Sequence, residues 1–315
     1  MTDSGKVLIA SPVHPVLIDG LRALGYECIT SEQIKQKEAY SLIKDCVGVI
    51  TSTRLKLDKS LIDAAPGLNW IGRMGSGMEI IDVAYANQKG IACFSSPEGN
   101  SNAVAEHVLG MLLALIRRIV ISQNEIRKGI WHRDENRGIE LEGKSVGIIG
   151  FGHTGSALAR KLLGFDVRIL AYDKLASEGI PPQYVNCPDL DPIFEQADIV
   201  SFHVPFGKDT RHYFNEDFMA RMRKPFILIN TSRGSVADAL ALHKGLISGK
   251  VTGACLDVFE EEPLTGVVTP AKQIIAEIAE LPNVILTPHI AGYTFEAVYK
   301  MSLVLLKKIT GLDNR

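Results

Sequence analysis

The stretch Ser145-Val146-Gly147-Ile148-Ile149-Gly150-Phe151-Gly152-His153-Thr154-Gly155-Ser156-Ala157-Leu158-Ala159-Arg160-Lys161-Leu162-Leu163 decides the fold. It runs from a short apolar segment through a GxGxxG turn into a segment with helical spacing. GxGxxG alone is a weak signal in a chain with 28 glycines. Here a further apolar run, Arg168–Tyr172, follows the helix, and the acidic Asp173 stands 18 residues beyond Gly155. Strand, glycine turn, helix, strand and acidic residue in that order form the βαβ dinucleotide-binding fingerprint. Gly150 permits the tight turn, Gly152 lets a pyrophosphate approach the backbone, and Gly155 allows close packing of helix on strand. His153 and Thr154 fall at the helix N-terminus, where free N–H groups and the positive dipole end hold phosphates. Asp173 is placed to accept from the adenosine ribose hydroxyls and to repel a 2′-phosphate, so NAD is expected over NADP; Lys174 softens that preference.

Working outward, short apolar runs continue to alternate with helical patterns. Beyond Ser145–Ile149 and Arg168–Tyr172, strands are predicted at Ile199–His203, Phe226–Asn230, Gly253–Asp257 and Asn283–Thr287. Helices fit at Gly155–Leu163, Leu190–Glu195, Asn215–Met222 and Asp238–Ser248. Six strands is the count of a doubly wound dinucleotide-binding sheet. Upstream, Lys6–Ala10, Val47–Thr51, Leu68–Gly72 and Ile91–Phe94 read as four more strands, with helices at His14–Leu24 and Asp82–Lys89. Continuous apolar strands separated by helices imply parallel sheets covered on both faces. A long helix, Asn100–Ser122, capped by Asn100 or Ser101, separates the two series, and a final helix is read at Phe295–Ile309.

The 315 residues suggest two domains at about 150 residues each. Lys and Arg number 34 against 36 Asp and Glu, a net charge of −2, which argues against a general nucleic-acid partner. With 46% apolar residues, disorder is excluded as the main state. The most apolar run, Ala103–Ile121, is interrupted by Glu106, His107, Arg117 and Arg118, so it reads as a buried helix and no membrane partner is expected. Met1–Gly5 lacks a signal-peptide pattern. Five scattered cysteines without CxxC spacing fit a reducing compartment, hence a cytoplasmic protein, with neither a disulfide framework nor a metal site.

Three further segments carry a resemblance. They are Asn230-Thr231-Ser232-Arg233-Gly234, Asp257-Val258-Phe259-Glu260-Glu261-Glu262-Pro263 and Thr287-Pro288-His289-Ile290-Ala291-Gly292. With the glycine fingerprint, and with Ile71–Gly77, Gly99-Asn100-Ser101 and Ala105-Glu106-His107, they make nearly the whole chain resemble the D-isomer-specific 2-hydroxyacid dehydrogenases. The branch it is most similar to holds the phosphoglycerate dehydrogenases and hydroxypyruvate reductases. The resemblance implies two doubly wound parallel-sheet α/β domains with a cleft between them. One, flavodoxin-like and substrate-binding, would span 1–98 plus 290–315; the other, a Rossmann NAD-binding domain, would span 99–289.

It also implies site residues. His289 would give or take the proton of the hydroxyl, a task suited to a group that titrates near neutrality. Glu262 would pair with His289 and steady the imidazolium, with Glu261 the alternative in register. Arg233 would bind the substrate carboxylate and carbonyl with its planar fork. Ser76 and Gly77 would offer N–H groups to the substrate, and Asn100 would line the cleft floor. Asp257 would accept from the nicotinamide amide, and Thr231, Ser232, His203, Val204, Pro205 and Gly292 would border the cofactor. His107 reads as a packed helix residue, and His203 as a wall of the cofactor site. After Gly77 the chain departs from the family pattern, carrying Met78-Glu79-Ile80, which lacks the usual amide. Phosphate-specific relatives often have an Arg-Ser-Arg run where Ser52-Thr53-Arg54 stands; Arg54, with Lys56 and Arg73, is either a phosphate site or ordinary surface charge. The helix 103–119 would join two subunits into a homodimer. The expected activity is NAD-linked interconversion of a D-2-hydroxy acid and its 2-keto acid, with 3-phosphoglycerate, hydroxypyruvate or glyoxylate chemistry all open. A non-catalytic NADH-sensing protein like the family's co-repressors is the alternative of another class. Formate dehydrogenase of the same superfamily carries a glutamine where Glu262 stands.

Overall fold

The structure is a computed structural model and describes residues 5–175 and 179–313. Met1–Ser4, most of the segment read for a targeting pattern, and Asn314–Arg315, the end of the expected first domain, lie outside the described residues. The chain divides into two compact units, Met1–Ser101 with Gly292–Arg315, and Asn102–Ala291.

The first unit alternates strand and helix: β1 (Lys6–Ile9), α1 (Pro15–Ala23), β2 (Glu27–Thr30), α2 (Gln36–Leu42), β3 (Cys46–Thr51), α3 (Lys59–Asp63), β4 (Trp70–Arg73), α4 (Val83–Gln88) and β5 (Ala92–Ser95). The strands form one parallel sheet in the order β2-β1-β3-β4-β5, a flavodoxin-like doubly wound order. Leu8, Val49 and Ile71 pack on one side with residues of α2, α3 and α4. The last helix, α12 (Phe295–Asp313), returns to this unit and packs on α1, where Gly20 admits the Leu306 side chain.

The sequence reading gave this unit four strands, and the structure has five. The addition, β2, reads Glu-Cys-Ile-Thr and pairs only with β1 at the sheet edge, with Glu27 and Thr30 exposed. With polar, exposed residues at both ends it lacks the continuous apolar run by which the other strands of this sheet are recognised.

α5 (Pro97–Ile116) carries the chain into the second unit, followed by α6 (Ile119–Arg127), β6 (Ser145–Ile149), α7 (His153–Leu162), β7 (Arg168–Tyr172), β8 (Val185–Asn186), α8 (Asp191–Gln196) and β9 (Ile199–Phe202). α9 (Glu216–Arg221), β10 (Phe226–Asn230), α10 (Ala239–Ser248), β11 (Val251–Leu256), α11 (Pro270–Ala279) and β12 (Val284–Leu286) complete it. Its seven strands are parallel in the order β12-β11-β10-β9-β6-β7-β8. This is the Rossmann order, extended by a seventh strand; β8, two residues long at the edge, was not among the six predicted. Alternate residues of each strand serve opposite cores. Ile148 and Ile229 join Val104–Ile116 of α5 and Ala157–Leu162 of α7, while Ile149 and Leu228 join α8, α9 and α10.

The helix predicted over Asn100–Ser122 differs at both ends. It starts at Pro97, so Asn100 and Ser101 sit inside the first turns rather than capping them. It also breaks at Arg118, whose φ is +52°, and α6 starts afresh. The break has a tertiary cause: the Ile139 N–H, from the returning segment, reaches the Ile116 carbonyl at 3.0 Å, and Arg118 Nε donates to Asn136 Oδ1. Among the described residues, no helix is long and apolar enough to cross a membrane.

Candidate active site

In open α/β sheets, ligands meet the C-terminal ends of the strands, and in the second unit these ends gather the chemistry. Gly150 ends β6 with φ +93°, and a Cβ there would lie 2.5 Å from the His203 carbonyl. A Cβ on Gly155 would lie 2.0 Å from the Gly150 carbonyl, so only glycine closes this turn. Nothing stands within 4 Å of the position a Gly152 Cβ would take, which leaves open space over the N-terminus of α7, where His153 and Thr154 form the first turn. Asp173, just past β7, accepts from Phe151 N–H at 2.7 Å and from Leu175 N–H at 2.8 Å, and so stands across the mouth of the glycine turn. At the end of β10, the Thr231 hydroxyl is buried with no hydrogen-bond partner among the described residues. The glycine cradle, the open helix N-terminus, a carboxylate at its mouth and an orphaned hydroxyl at a strand end together fit a dinucleotide.

His203 lies behind the cradle, 9% exposed, with Val204 and Pro205 after it. Its ring bridges the Ser201 hydroxyl (2.9 Å) and the Thr154 hydroxyl (3.2 Å). Burial pushes its pKa down to about 4, so the ring is neutral near pH 7 and belongs to the wall, not to proton transfer. A neutral ring donates from one nitrogen and accepts at the other, so it can bond both hydroxyls at once and tie Thr154 to β9.

At the ends of β10, β11 and β12 stand Arg233, Glu262 and His289. Asn230, buried, shapes the first turn: its Oδ1 accepts from Ser232 N–H and hydroxyl, and its Nδ2 donates to the Arg233 carbonyl. Arg233 Nη1 donates to the Ser232 carbonyl at 2.7 Å. Glu262 Oε1 accepts from Phe259 N–H at 2.8 Å, and Oε2 meets His289 Nδ1 at 2.7 Å. The two side chains are open to solvent, 32% and 45% exposed. Glu261, by contrast, turns away to the Thr269 hydroxyl, so the register falls on Glu262. The Glu262 bond raises the His289 pKa against the opposing pull of partial burial; the Glu262 and Asp257 charges raise it too, and Arg233 lowers it. For Glu262, burial pushes upward, but the His289 and Phe259 bonds and the His289 and Arg233 charges outweigh it and hold the carboxyl below its ordinary range. The pair is therefore a carboxylate that favours imidazolium beside a guanidinium, able to hold an anionic substrate and move one proton.

Asp257, expected to accept from the nicotinamide amide, also ties down the turn that carries His289. It is 1% exposed, and its carboxylate accepts from the Thr287 hydroxyl (2.5 Å), Ile290 N–H (2.9 Å) and Ala291 N–H (2.8 Å). A carboxylate has about four lone-pair sites, so these bonds leave roughly one for any ligand. They brace the turn on which His289 sits at φ +56°. His107 of α5 adds to the brace, with Nε2 2.9 Å from the Thr287 hydroxyl and 3.6 Å from Asp257. Sequence reasoning missed this support; Ala105-Glu106-His107 was noted as a family match but treated as packing.

The remaining sequence candidates lie in the first unit. Arg54 follows β3 and is exposed, with Lys56 beside it; neither side chain has an ion pair among the described residues. Ser76 and Gly77 follow β4 in a turn held by Ser96, whose hydroxyl accepts from Gly75 N–H and donates to the Arg73 carbonyl. The Met78 and Ile80 side chains pack on the apolar core of this unit, which holds down the segment after Gly77. Asn100 sits in α5 with its Oδ1 buried and unpartnered among the described residues, and its Nδ2 lies 2.7 Å from where a Gly292 Cβ would be.

Comparison with known proteins agrees with this geometry. The model of the D-isomer specific 2-hydroxyacid dehydrogenase NAD binding domain matches residues 109–291. The chain is 36% identical over 282 residues to a hydroxypyruvate reductase of Thermotoga maritima, covering 89% of each chain. It is 32% identical over 308 residues to a D-3-phosphoglycerate dehydrogenase of Archaeoglobus fulgidus, a longer protein of which 57% is covered against 98% of this chain. Among solved structures, D-lactate dehydrogenase from Aquifex aeolicus, complexed with NAD and lactic acid, superimposes with a TM-score of 0.84 at 29% identity, over 98% of this chain and 95% of that one. The chain thus belongs to the D-isomer specific 2-hydroxyacid dehydrogenase family. Its cofactor is NAD and its class is NAD-dependent oxidoreductase; its substrate within that class is the next question.

Proposed function

We propose that His289, Glu262 and Arg233 carry the reversible reduction of a small 2-keto acid to its D-2-hydroxy acid. The observation that carries this reading is the 2.7 Å bond between Glu262 and His289, with Arg233 acting electrostatically on both. Bound NAD(H) supplies or accepts the hydride. Arg233 takes the substrate carboxylate and the carbonyl oxygen and polarises the latter. His289, protonated in the reducing direction, donates from Nε2 to the oxygen as alkoxide character develops, while Nδ1 stays bonded to Glu262. In oxidation the same nitrogen takes the hydroxyl proton. Glu262 fixes the ring and offsets the imidazolium charge, and Asp257 with Thr287 holds the turn beneath it. The glycine turn and the α7 N-terminus hold the pyrophosphate, and Asp173 takes the ribose hydroxyls. Asp173 also sets the preference for NAD over NADP. The first unit serves as the substrate domain, with Ser76, Gly77 and Asn100 as contacts and Gly292 at the cofactor border.

The substrate we favour carries a second negative group at C3. Arg54 and Lys56 are two exposed cations without ion pairs among the described residues, just past the end of β3. A phosphate needs several such donors to offset its desolvation. A homodimer is proposed on α5 and α6, because Ile119, Val120 and Ile126 are 54%, 45% and 52% exposed and Trp131 is 79% exposed. A reducing, cytoplasmic setting accords with five free cysteines.

The test is NADH oxidation with 3-phosphohydroxypyruvate, hydroxypyruvate, glyoxylate and pyruvate, with NADPH alongside. Preference for the phosphorylated acid, lost in Arg54→Ala, supports the full proposal. Preference for hydroxypyruvate or glyoxylate removes Arg54 and Lys56 from the site but keeps the chemistry. NADH binding without turnover of any of them would overturn the catalytic reading in favour of a sensor.

A further inference from the structure

The loop that carries Glu262 is tied down at its near end by a second group of ionisable side chains, none of which the reaction uses. His212 Nε2 lies 3.1 Å from Glu260 Oε2, and its Nδ1 lies 3.7 Å from Asp238 Oδ2. The other oxygen of Glu260 accepts from Ala239 N–H at 3.0 Å, the first residue of α10, whose N-cap is Asp238. One carboxylate thus joins an imidazole to a helix N-terminus, where negative charge is favoured. Glu260 is only 21% exposed, and its two oxygens have separate partners, unlike the usual surface pair of one oxygen with one mobile cation.

The surrounding backbone is equally constrained. His212 sits at φ +47°, a conformation that side-chain-bearing residues adopt sparsely and that persists where the surroundings enforce it. Its N–H donates to the Ser235 carbonyl at 2.7 Å, and Phe214 pairs with Ala237 next along. A Cβ on Gly234 would lie 1.8 Å from the Phe259 carbonyl, so the turn that follows Arg233 is keyed against the residue that precedes Glu260. From there the path to the reacting pair is short. Phe259 N–H donates to Glu262 Oε1, and Glu262 Oε2 holds His289 Nδ1.

We propose that Glu260, gripped by His212 and by the N-terminus of α10, is a positioning residue that fixes the Phe259–Glu262 loop and so sets the Glu262–His289 bond and its register with Arg233. This rests on the reading of Glu262 and His289 as the acid–base pair. The grip needs only a proton on His212 Nε2, which a neutral tautomer also carries, and among the described residues the carboxylates in ion-pair range of His212 are those of Glu260 and Asp238.

The test uses the full chain with Glu260→Ala, the conservative Glu260→Gln, and His212→Asn, with Lys244→Ala on the exposed side of α10 as control. The His289 ring is titrated by NMR in each variant without substrate, and kcat, KM and NADH affinity are measured beside it. The expected result is a His289 midpoint lowered in Glu260→Ala and His212→Asn and close to wild type in Lys244→Ala. The same two variants should lose kcat on the order of tenfold and raise KM for the keto acid, with NADH affinity within about twofold, because a shift of about 1 Å at a reacting group costs rate before it costs cofactor binding. Glu260→Gln, which keeps an acceptor for Ala239 N–H, should fall between. If Glu260→Ala does not fold, His212→Asn and Glu260→Gln carry the test. An unmoved His289 midpoint in folded variants overturns the proposal. Failure of the underlying reading would look different: wild-type His289 would titrate like an ordinary histidine, or His289→Ala would retain turnover.

Discussion

Replacing Glu262 by glutamine changes one oxygen to an NH2 group and removes one charge. In the native geometry one Glu262 oxygen accepts from Phe259 N–H and the other from His289 Nδ1–H. A glutamine can serve only one of these as acceptor. With its oxygen on Phe259, its NH2 faces Nδ1, which must then accept, so the neutral ring carries its proton on Nε2. Protonating that ring would set two donors against each other, and the imidazolium needed for reduction becomes the disfavoured form. A hydrogen bond to a charged group contributes about 1.5–3 kcal/mol. The side chains here are 45% and 32% exposed, which places the effect at the lower end, about 1.5–2 kcal/mol after solvent screening. That corresponds to a loss of roughly 10- to 30-fold in kcat for keto-acid reduction near pH 7. The high-pH limb of the rate profile should also move to lower pH, since the pair is what raises the His289 pKa. NADH affinity, read by fluorescence, should stay within about twofold. A variant with near-native kcat and an unmoved limb would refute the argument that Glu262 sets the protonation state of His289.

Other outcomes follow from the same geometry. His289→Ala should lose about 10²- to 10⁴-fold in turnover with NADH binding retained, the range expected for a general acid; full activity would remove it from that role. The ion pair should also appear in stability. The folded His289 pKa is raised, so its contribution is fully present below about pH 6.5 and is lost as pH rises through the folded value; the Glu262 pKa is lowered, so its contribution is present above about pH 4.5 and is lost as pH falls through the folded value. Thermal melts of wild type and Glu262→Gln should therefore differ most between about pH 4.5 and 6.5, and a difference that peaks above pH 8 would contradict the assignment. Thr154→Val leaves His203 Nδ1 without its partner and should weaken NADH binding several-fold while the protein still folds, checked by titration calorimetry. Gly155→Ala places a Cβ 2.0 Å from the Gly150 carbonyl and should abolish NADH binding or lower the melting temperature by several degrees, seen in the same titration and a thermal melt.

What the sequence made legible was what burial makes periodic. Ser145–Ile149, Arg168–Tyr172 and Phe226–Asn230 were read with the ends the structure gives them, because central parallel strands are apolar throughout. β2 and β8 escaped because neither carries a continuous apolar run: β2 is Glu-Cys-Ile-Thr with both ends exposed, and β8 is two residues long. α11 escaped although Thr269-Pro270 is a helix-start signal, a cap followed by proline at the first position. The break at Arg118 had no local signal, since Arg117-Arg118 is neither glycine nor proline and the Ile116 carbonyl is taken by Ile139 from a later segment. In the site, side chains with chemistry at strand ends were visible one by one, and the Glu262–His289 contact could be expected from them. The brace under His289 could not, because Thr287 meets His107 across 180 residues of sequence, and the bonding of Asp257 depends on how the turn after β12 folds back. The His212–Glu260 grip was hidden for the same reason, 48 residues apart and inside a run of three glutamates that reads as a solvated face.

The most direct test of the central claim is the configuration of the product. Reduction of hydroxypyruvate or its phosphate with NADH, followed by chiral analysis and repeated with the Arg233→Ala, Glu262→Gln and His289→Ala variants, reads chemistry and site at once. The account predicts the D-2-hydroxy acid alone, at a rate that falls in all three variants while NADH remains bound. An L-product, or a rate that survives the loss of His289, would contradict it.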